Sequence, residues 1–173
     1  MKGIILDSYV DFVENKFGIQ KLNKIEEDLR SPIDYYTLKT YGDEEFYKLI
    51  DVSEVVLQLS KEKIQYQFGE FFFEVLIENY GHHFHKSNLI DFLIYLEDYI
   101  HPEVIETIEE SEPPRFLLEE KENGFKLTYS SKRKMGDFAF GLLMRCNTFF
   151  ENTYEIEKIS SEGINTVFHI YKK

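Results

Sequence analysis

The sequence predicts an α+β fold, a helical N-terminal part followed by a C-terminal four-stranded antiparallel sheet with helices. Apolar residues recur at helical intervals up to Pro113-Pro114, strand alternation takes over beyond that pair, and the tail reads hairpin, helix, hairpin. The chain has 173 residues with no Gly/Ser linker, low-complexity run or internal repeat, so residues 1–173 are expected to form one domain.

Each element follows from local pattern. Ile4, Ile5, Tyr9, Phe12 and Val13 are spaced as one helix face, and so are Phe46, Leu49, Ile50 and Val56. Ser87-Asn88 suits a helix N-terminus, followed by an apolar stripe of Leu89, Leu93, Leu96 and Ile100. Pro102 lacks a backbone donor and is expected to disturb the end of that helix, where His101 sits. Beyond the proline pair, residues 116–120 and 125–131 flank Asn123-Gly124, a pair suited to the positive backbone angles of a tight hairpin. Helical spacing returns from about 135 to 150 through Phe138, Leu142 and Phe149, and residues 154–159 and 166–171 alternate as strands around Gly163.

Composition excludes several classes of partner. The 32 acidic against 20 basic residues give a formal charge of −12, which repels phosphate backbones and anionic lipid, so neither nucleic acid nor a membrane is an expected partner. The one cysteine, Cys146, rules out an intramolecular disulfide and a multi-cysteine metal site, and no secretory signal opens the chain. Apolar runs such as 71–77 are broken by charge well short of a membrane span. The expected setting is cytoplasmic. The 12 Tyr and 16 Phe supply many flat rings, which suit a planar ligand and ordinary packing equally.

Few residues offer chemistry. A neutral imidazole at the end of an apolar helix, as at His101, can ligate a metal, and one such ligand suffices for haem iron; a histidine packed beside an apolar stripe is the plainer alternative. Tyr129, Ser131 and Arg133 are spaced by two, so an extended strand projects them from the face that carries Phe125 and Leu127, where a phenol, a hydroxyl and a guanidinium can bind carboxylates. A strand leaving the core for solvent explains the same pattern. His82, His83 and His85 lack the companion ligands of structural zinc and read as a solvated helix end. Glu106, Glu109, Glu110 and Glu112 read as a charged helix face, and Cys146 as a buried, inert thiol. There is no phosphate-cradling glycine loop and no nucleophile elbow.

Residues 129–135, Tyr-Ser-Ser-Lys-Arg-Lys-Met, match a Tyr-x-Ser-x-Arg signature downstream of His101 and Pro113-Pro114, and the chain opens Met-Lys-Gly-Ile-Ile. In that order these features resemble the haem nitric oxide/oxygen-binding (H-NOX) family over essentially the whole chain, in its stand-alone bacterial form. The resemblance implies haem b bound between the helical part and the sheet, His101 as the protein ligand to iron, and Tyr129, Ser131 and Arg133 holding the propionates, with Asp43 near Arg133. It implies that Ile5 and Pro114 press on the porphyrin. It also puts Phe138 and Phe72 where oxygen-binding members carry a hydrogen-bond donor, and Tyr9 in a pocket place where it could supply a hydroxyl. The implied function is a nitric oxide sensor that also takes carbon monoxide. Release of His101 would shift the helix carrying residues 89–101 and signal to a separate sensor histidine kinase or cyclic-dinucleotide enzyme, since no such region follows in the chain. The acidic surface suits a basic docking patch on that partner. An oxygen-binding haem sensor and a haem-free interaction module are the alternatives. A haem enzyme is disfavoured, because Phe72 and Phe138 offer no general acid or base.

Overall fold

In the computed structural model, which describes all residues except Ser87 and 108–111, the helical part begins with α1 (Gly3–Phe17) and α2 (Ile19–Leu29), joined at Gly18 with φ +87°. Helix α3 (Asp43–Leu57) opens with Asp43, Glu44 and Glu45, three carboxylates that complement the positive end of its dipole. Helix α4 (Lys61–Tyr80) is capped by Ser60, whose Oγ accepts the Lys63 N–H at 3.3 Å. A 3₁₀ turn (Gly81–His83) follows, and α5 (Leu89–Tyr95) starts at Asn88, whose Oδ1 accepts the Asp91 N–H at 3.0 Å. Ser87, the other half of the expected cap, lies outside the described residues.

The expectation that Pro102 ends this helix is corrected. After α5 the chain makes a π-helical turn (Leu96–Ile100), in which the His101 N–H reaches back to the Leu96 carbonyl, and continues as α6 (His101–Thr107). A proline ring collides with the carbonyl four residues before it in a regular α-helix and leaves that carbonyl unpaired. The wider π turn lets the helix pass this point, so the disturbance falls before His101 and not after it.

Strands β1 (Arg115–Lys121), β2 (Gly124–Ser130), β3 (Tyr154–Glu162) and β4 (Asn165–Lys172) form an antiparallel sheet in the order β1-β2-β4-β3, with α7 (Gly136–Phe149) between the two hairpins. The first hairpin is tighter in register than predicted. Lys121 pairs with Gly124, so its turn is Glu122-Asn123, and only Gly124 has a positive φ, +148°. A side chain at Gly124 would stand 2.0 Å from the Ile170 carbonyl oxygen of β4, so close strand approach adds to the demand for glycine there.

Helix α4 divides the interior. Its Ile64, Phe68 and Phe72 join α1, α2 and α3 in one core cluster, while Phe73, one residue further round, joins α5, α7 and the sheet in another. Helices α4 and α7 meet backbone to backbone: a Cβ on Gly69 would lie 2.1 Å from the Phe138 carbonyl oxygen, and one on Gly141 1.9 Å from that of Tyr66. Glu106, Glu112, His82 and His85 are exposed, and Glu109 and Glu110 fall outside the described residues. Among the described residues no cluster of His, Cys, Asp or Glu is placed to hold a metal ion, and no helix is long and apolar enough to cross a membrane.

Candidate functional site

A cavity of about 460 Å³ lies at the boundary of the two core clusters. That volume is within the roughly 300–1,000 Å³ of small-molecule and cofactor sites. Its lining is chiefly apolar and comes from every layer: Ile5 of α1, Phe72 of α4, Leu93 of α5, Leu127 of β2 and Phe138 of α7. His101, Tyr129, Ser131 and Arg133 all reach it, as do Pro114 and the buried Cys146, whose thiol burial pushes well up and so keeps protonated.

His101 is buried, and burial holds its pKa below the ordinary histidine value, with Glu97 acting in the opposite sense and Arg115 in the same one. Its Nδ1 lies 3.1 Å from Glu97 Oε2, and its ring stacks on Phe116 at 5.3 Å between centroids and 16° between planes. With Nδ1 engaged, Nε2 is the nitrogen left to offer a lone pair. Glu97 was not foreseen, although a carboxylate one helical turn before a histidine is a readable signal.

The signature residues are brought together differently from the sequence expectation. Strand β2 ends at Ser130, and residues 131–134 turn: the Lys134 N–H donates to the Ser131 carbonyl at 3.1 Å, the Arg133 N–H to Ser131 Oγ at 3.2 Å, and Lys134 has φ +51°. Arg133 therefore reaches the cavity through a turn and not through strand alternation. Its Nε donates to Asp43 Oδ1 at 2.8 Å and its Nη1 to the Glu112 carbonyl at 2.7 Å, while Tyr47 Oη donates to the Arg133 carbonyl at 3.0 Å. The terminal ammonium of Met1 donates to the same Asp43 oxygen at 2.8 Å. Burial opposes ionisation of Asp43, but these two cationic partners outweigh it and hold the carboxyl below its usual 3.8.

Tyr9 stands apart from the cavity lining, contrary to its expected pocket place. It shares a helix face with Ile5 but lies a turn further along, with its ring packed on Phe12, Phe46 and Phe68. Phe68, in turn, packs on Phe72 and Phe138, at 5.8 and 5.0 Å, and those two rings, not Tyr9 or Phe68, are on the cavity wall. The Tyr9 phenol is raised well above its ordinary pKa by burial, with the Ser53 hydroxyl beside it working the other way.

The residues present fit haem. A neutral imidazole backed by a carboxylate is a common iron-ligand arrangement, the apolar walls suit a porphyrin, and the guanidinium and hydroxyls at Arg133, Ser131 and Tyr129 suit its carboxylates. Comparison with known proteins agrees. A family profile described as Haem-NO-binding matches residues 2–158. No curated protein matches. Among solved structures, the unliganded Fe(II) H-NOX protein from K. algicida is similar at 31% identity and a TM-score of 0.87, covering 100% of this chain and 97% of that one. A point mutant of it reaches 33% and 0.88 with the same coverage. An H-NOX protein from S. oneidensis in the Fe(II)NO state shares the fold at 23% identity and a TM-score of 0.85, covering 100% of this chain and 99% of that one. On the profile match over residues 2–158 and the 33% identity to a solved H-NOX structure across the whole chain, this chain belongs to the H-NOX family of haem-based gas-sensor domains.

Proposed function

We propose that residues 1–173 form a single cytoplasmic domain that binds haem b, senses nitric oxide and passes the signal to a separate protein, with no catalytic activity of its own. The observation that supports this best is the cavity of about 460 Å³ that combines His101, Arg133 and a wall of Phe72 and Phe138. Haem supplies an iron that binds diatomic gases, nitric oxide and carbon monoxide among them. His101 would hold that iron, with Glu97 engaging its Nδ1 and leaving Nε2 to offer the lone pair. Arg133, already oriented by Asp43 and the Glu112 carbonyl, holds a propionate together with Ser131 and Tyr129. Ile5 and Pro114 supply rigid apolar contact with the porphyrin.

Selectivity against oxygen rests on a missing donor. A hydroxyl facing the gas would favour oxygen by about 1–3 kcal/mol; Phe72 and Phe138 carry none, and Tyr9, its hydroxyl beside Ser53, is not on the cavity wall. The π turn and α6 give His101 a segment that can change register when the hold on its imidazole changes, which is a two-state element of the kind a sensor requires. The receiving protein is a sensor histidine kinase or a cyclic-dinucleotide enzyme, to which a surface of charge −12 presents itself as the acidic partner.

The test is the absorption spectrum of the purified, reduced protein under nitrogen and then with oxygen, carbon monoxide and nitric oxide, with His101→Ala alongside. A Soret band that responds to carbon monoxide and nitric oxide but not to oxygen, and is lost in the variant unless imidazole is added, supports the proposal. A colourless protein that takes up no added haemin overturns it. A stable response to oxygen keeps the haem and overturns the selectivity argument.

A further inference from the structure

Glu97 occupies the π turn with its side chain only 21% exposed, and its carboxylate gathers donors from two elements. Oε2 lies 3.1 Å from His101 Nδ1 and accepts the Phe116 N–H at 3.0 Å, and Oε1 pairs with Arg115 Nη1 at 3.3 Å. Phe116 lies on the edge strand β1, so its outward amide has no neighbouring strand and is satisfied by Glu97 instead. The same Phe116 ring stacks on His101. Carboxylate and ring face are thus both anchored to one residue of the sheet.

We propose that Glu97 is a positioning residue for His101: its carboxylate keeps the imidazole proton on Nδ1, fixes the ring against Phe116 and presents the Nε2 lone pair to the cavity. An ionised carboxylate only accepts, so the nitrogen facing it must carry hydrogen, and a neutral imidazole then has its lone pair on the other side. A charge-assisted bond of this kind also makes the imidazole a stronger donor to a metal. Because Glu97 holds β1 and the histidine-bearing helix at once, it ties the strength of that donor to the spacing between helix and sheet. This inference rests on the haem reading for its consequence at iron, but not for the tautomer.

The test compares wild type with Glu97→Gln, which keeps an acceptor oxygen without the charge, and Glu97→Ala. In reduced, haem-loaded protein the iron–histidine stretching frequency, read by resonance Raman, falls in Glu97→Gln and falls further in Glu97→Ala. Haem transfer to excess apomyoglobin becomes at least about tenfold faster in Glu97→Ala, the usual scale for loss of a carboxylate behind a metal-bound histidine. In haem-free protein, nitrogen NMR of His101 finds the proton on Nδ1 in wild type and shared between the nitrogens in Glu97→Ala. Equal stretching frequencies across the set, even with a lowered melting temperature, would reduce Glu97 to a staple between helix and sheet and overturn the proposal. So would a wild-type proton on Nε2. If Glu97→Ala does not fold, Glu97→Gln decides the matter by the same frequency. A wild-type protein that binds no haem overturns the haem reading alone and leaves the NMR measurement to judge Glu97.

Discussion

The cluster around α1, α2 and α3 and the cluster around α5, α7 and the sheet are both rich in phenylalanine and both reach the cavity, yet the heart of the first is filled with rings while many rings of the second stand on the cavity wall. In the first, Tyr9, Phe12, Phe46 and Phe68 are each almost fully buried and meet ring to ring. In the second, rings such as Phe73, Phe92 and Phe168 are as well buried from water but have the cavity on one side. The difference lies in how closely the helix backbones approach. Glycines at 69 and 141 let α4 and α7 touch, whereas α5 and α7 both contribute to the cavity wall, through Leu93 and through Phe138, Leu142 and Leu143. Similar side chains therefore make a dry core or a ligand pocket according to backbone spacing.

That contrast can be broken first at its filled side. Phe68→Ala removes a ring enclosed by five aromatic neighbours and is expected to cost about 3–5 kcal/mol in chemical denaturation. Leu143→Ala, on the cavity wall, should cost about 2 kcal/mol, the low end for such truncations, because its neighbours already lack partners on one face. Equal costs would mean that the two clusters do not differ in packing. Next comes Gly141→Ala: the added methyl meets the Tyr66 carbonyl of α4, so about 3 kcal/mol is expected, with haem affinity falling as the helices part. A crystal structure of that variant with unchanged helix spacing would refute the reasoning.

Asp43→Asn is expected to cost about 1 kcal/mol, modest because the carboxylate is about one-third exposed and solvent screens it. Its pH dependence has a definite sign. The folded pKa is lowered, so the stabilisation is fully present above the ordinary value of 3.8 and is lost as pH falls through the lower folded value. The gap between wild type and Asp43→Asn should thus be constant from neutral pH to about 5 and close in stronger acid; a gap that instead closed near neutrality would point to another group. The smallest effect belongs to Arg145→Ala. Its bonds to Glu74 join α7 to α4 at the surface, with both side chains at least 40% exposed, and about 0.5 kcal/mol or less is expected from its melting temperature. A larger loss would show that surface charge, and not the glycine contact, holds the two helices together.

Much of this was readable from local pattern. The stripes at Ile5, Tyr9 and Phe12 and at Leu89 and Leu93 became α1 and α5, and both hairpins formed around the expected breaks. Errors occurred where a neighbour decided the outcome. The turn at Glu122-Asn123 moved one residue because β4 presses on Gly124, and the helix passed Pro102 because a π turn absorbed the ring. Tyr9 has the right period for the pocket, but its ring packs among Phe12, Phe46 and Phe68 and is not on the cavity wall.

The sequence by itself determined the apolar faces of α1, α3, α5 and α7, the two hairpins and the identity of the signature residues, because periodicity and turn chemistry act over a few neighbouring residues. Only the tertiary structure decided that Arg133 reaches Asp43 from a turn and also takes the Glu112 carbonyl, that Glu97 grips both His101 and β1, and that α5 and α7 line one cavity. Those are relations between backbones packed at particular distances, and no local pattern encodes a distance.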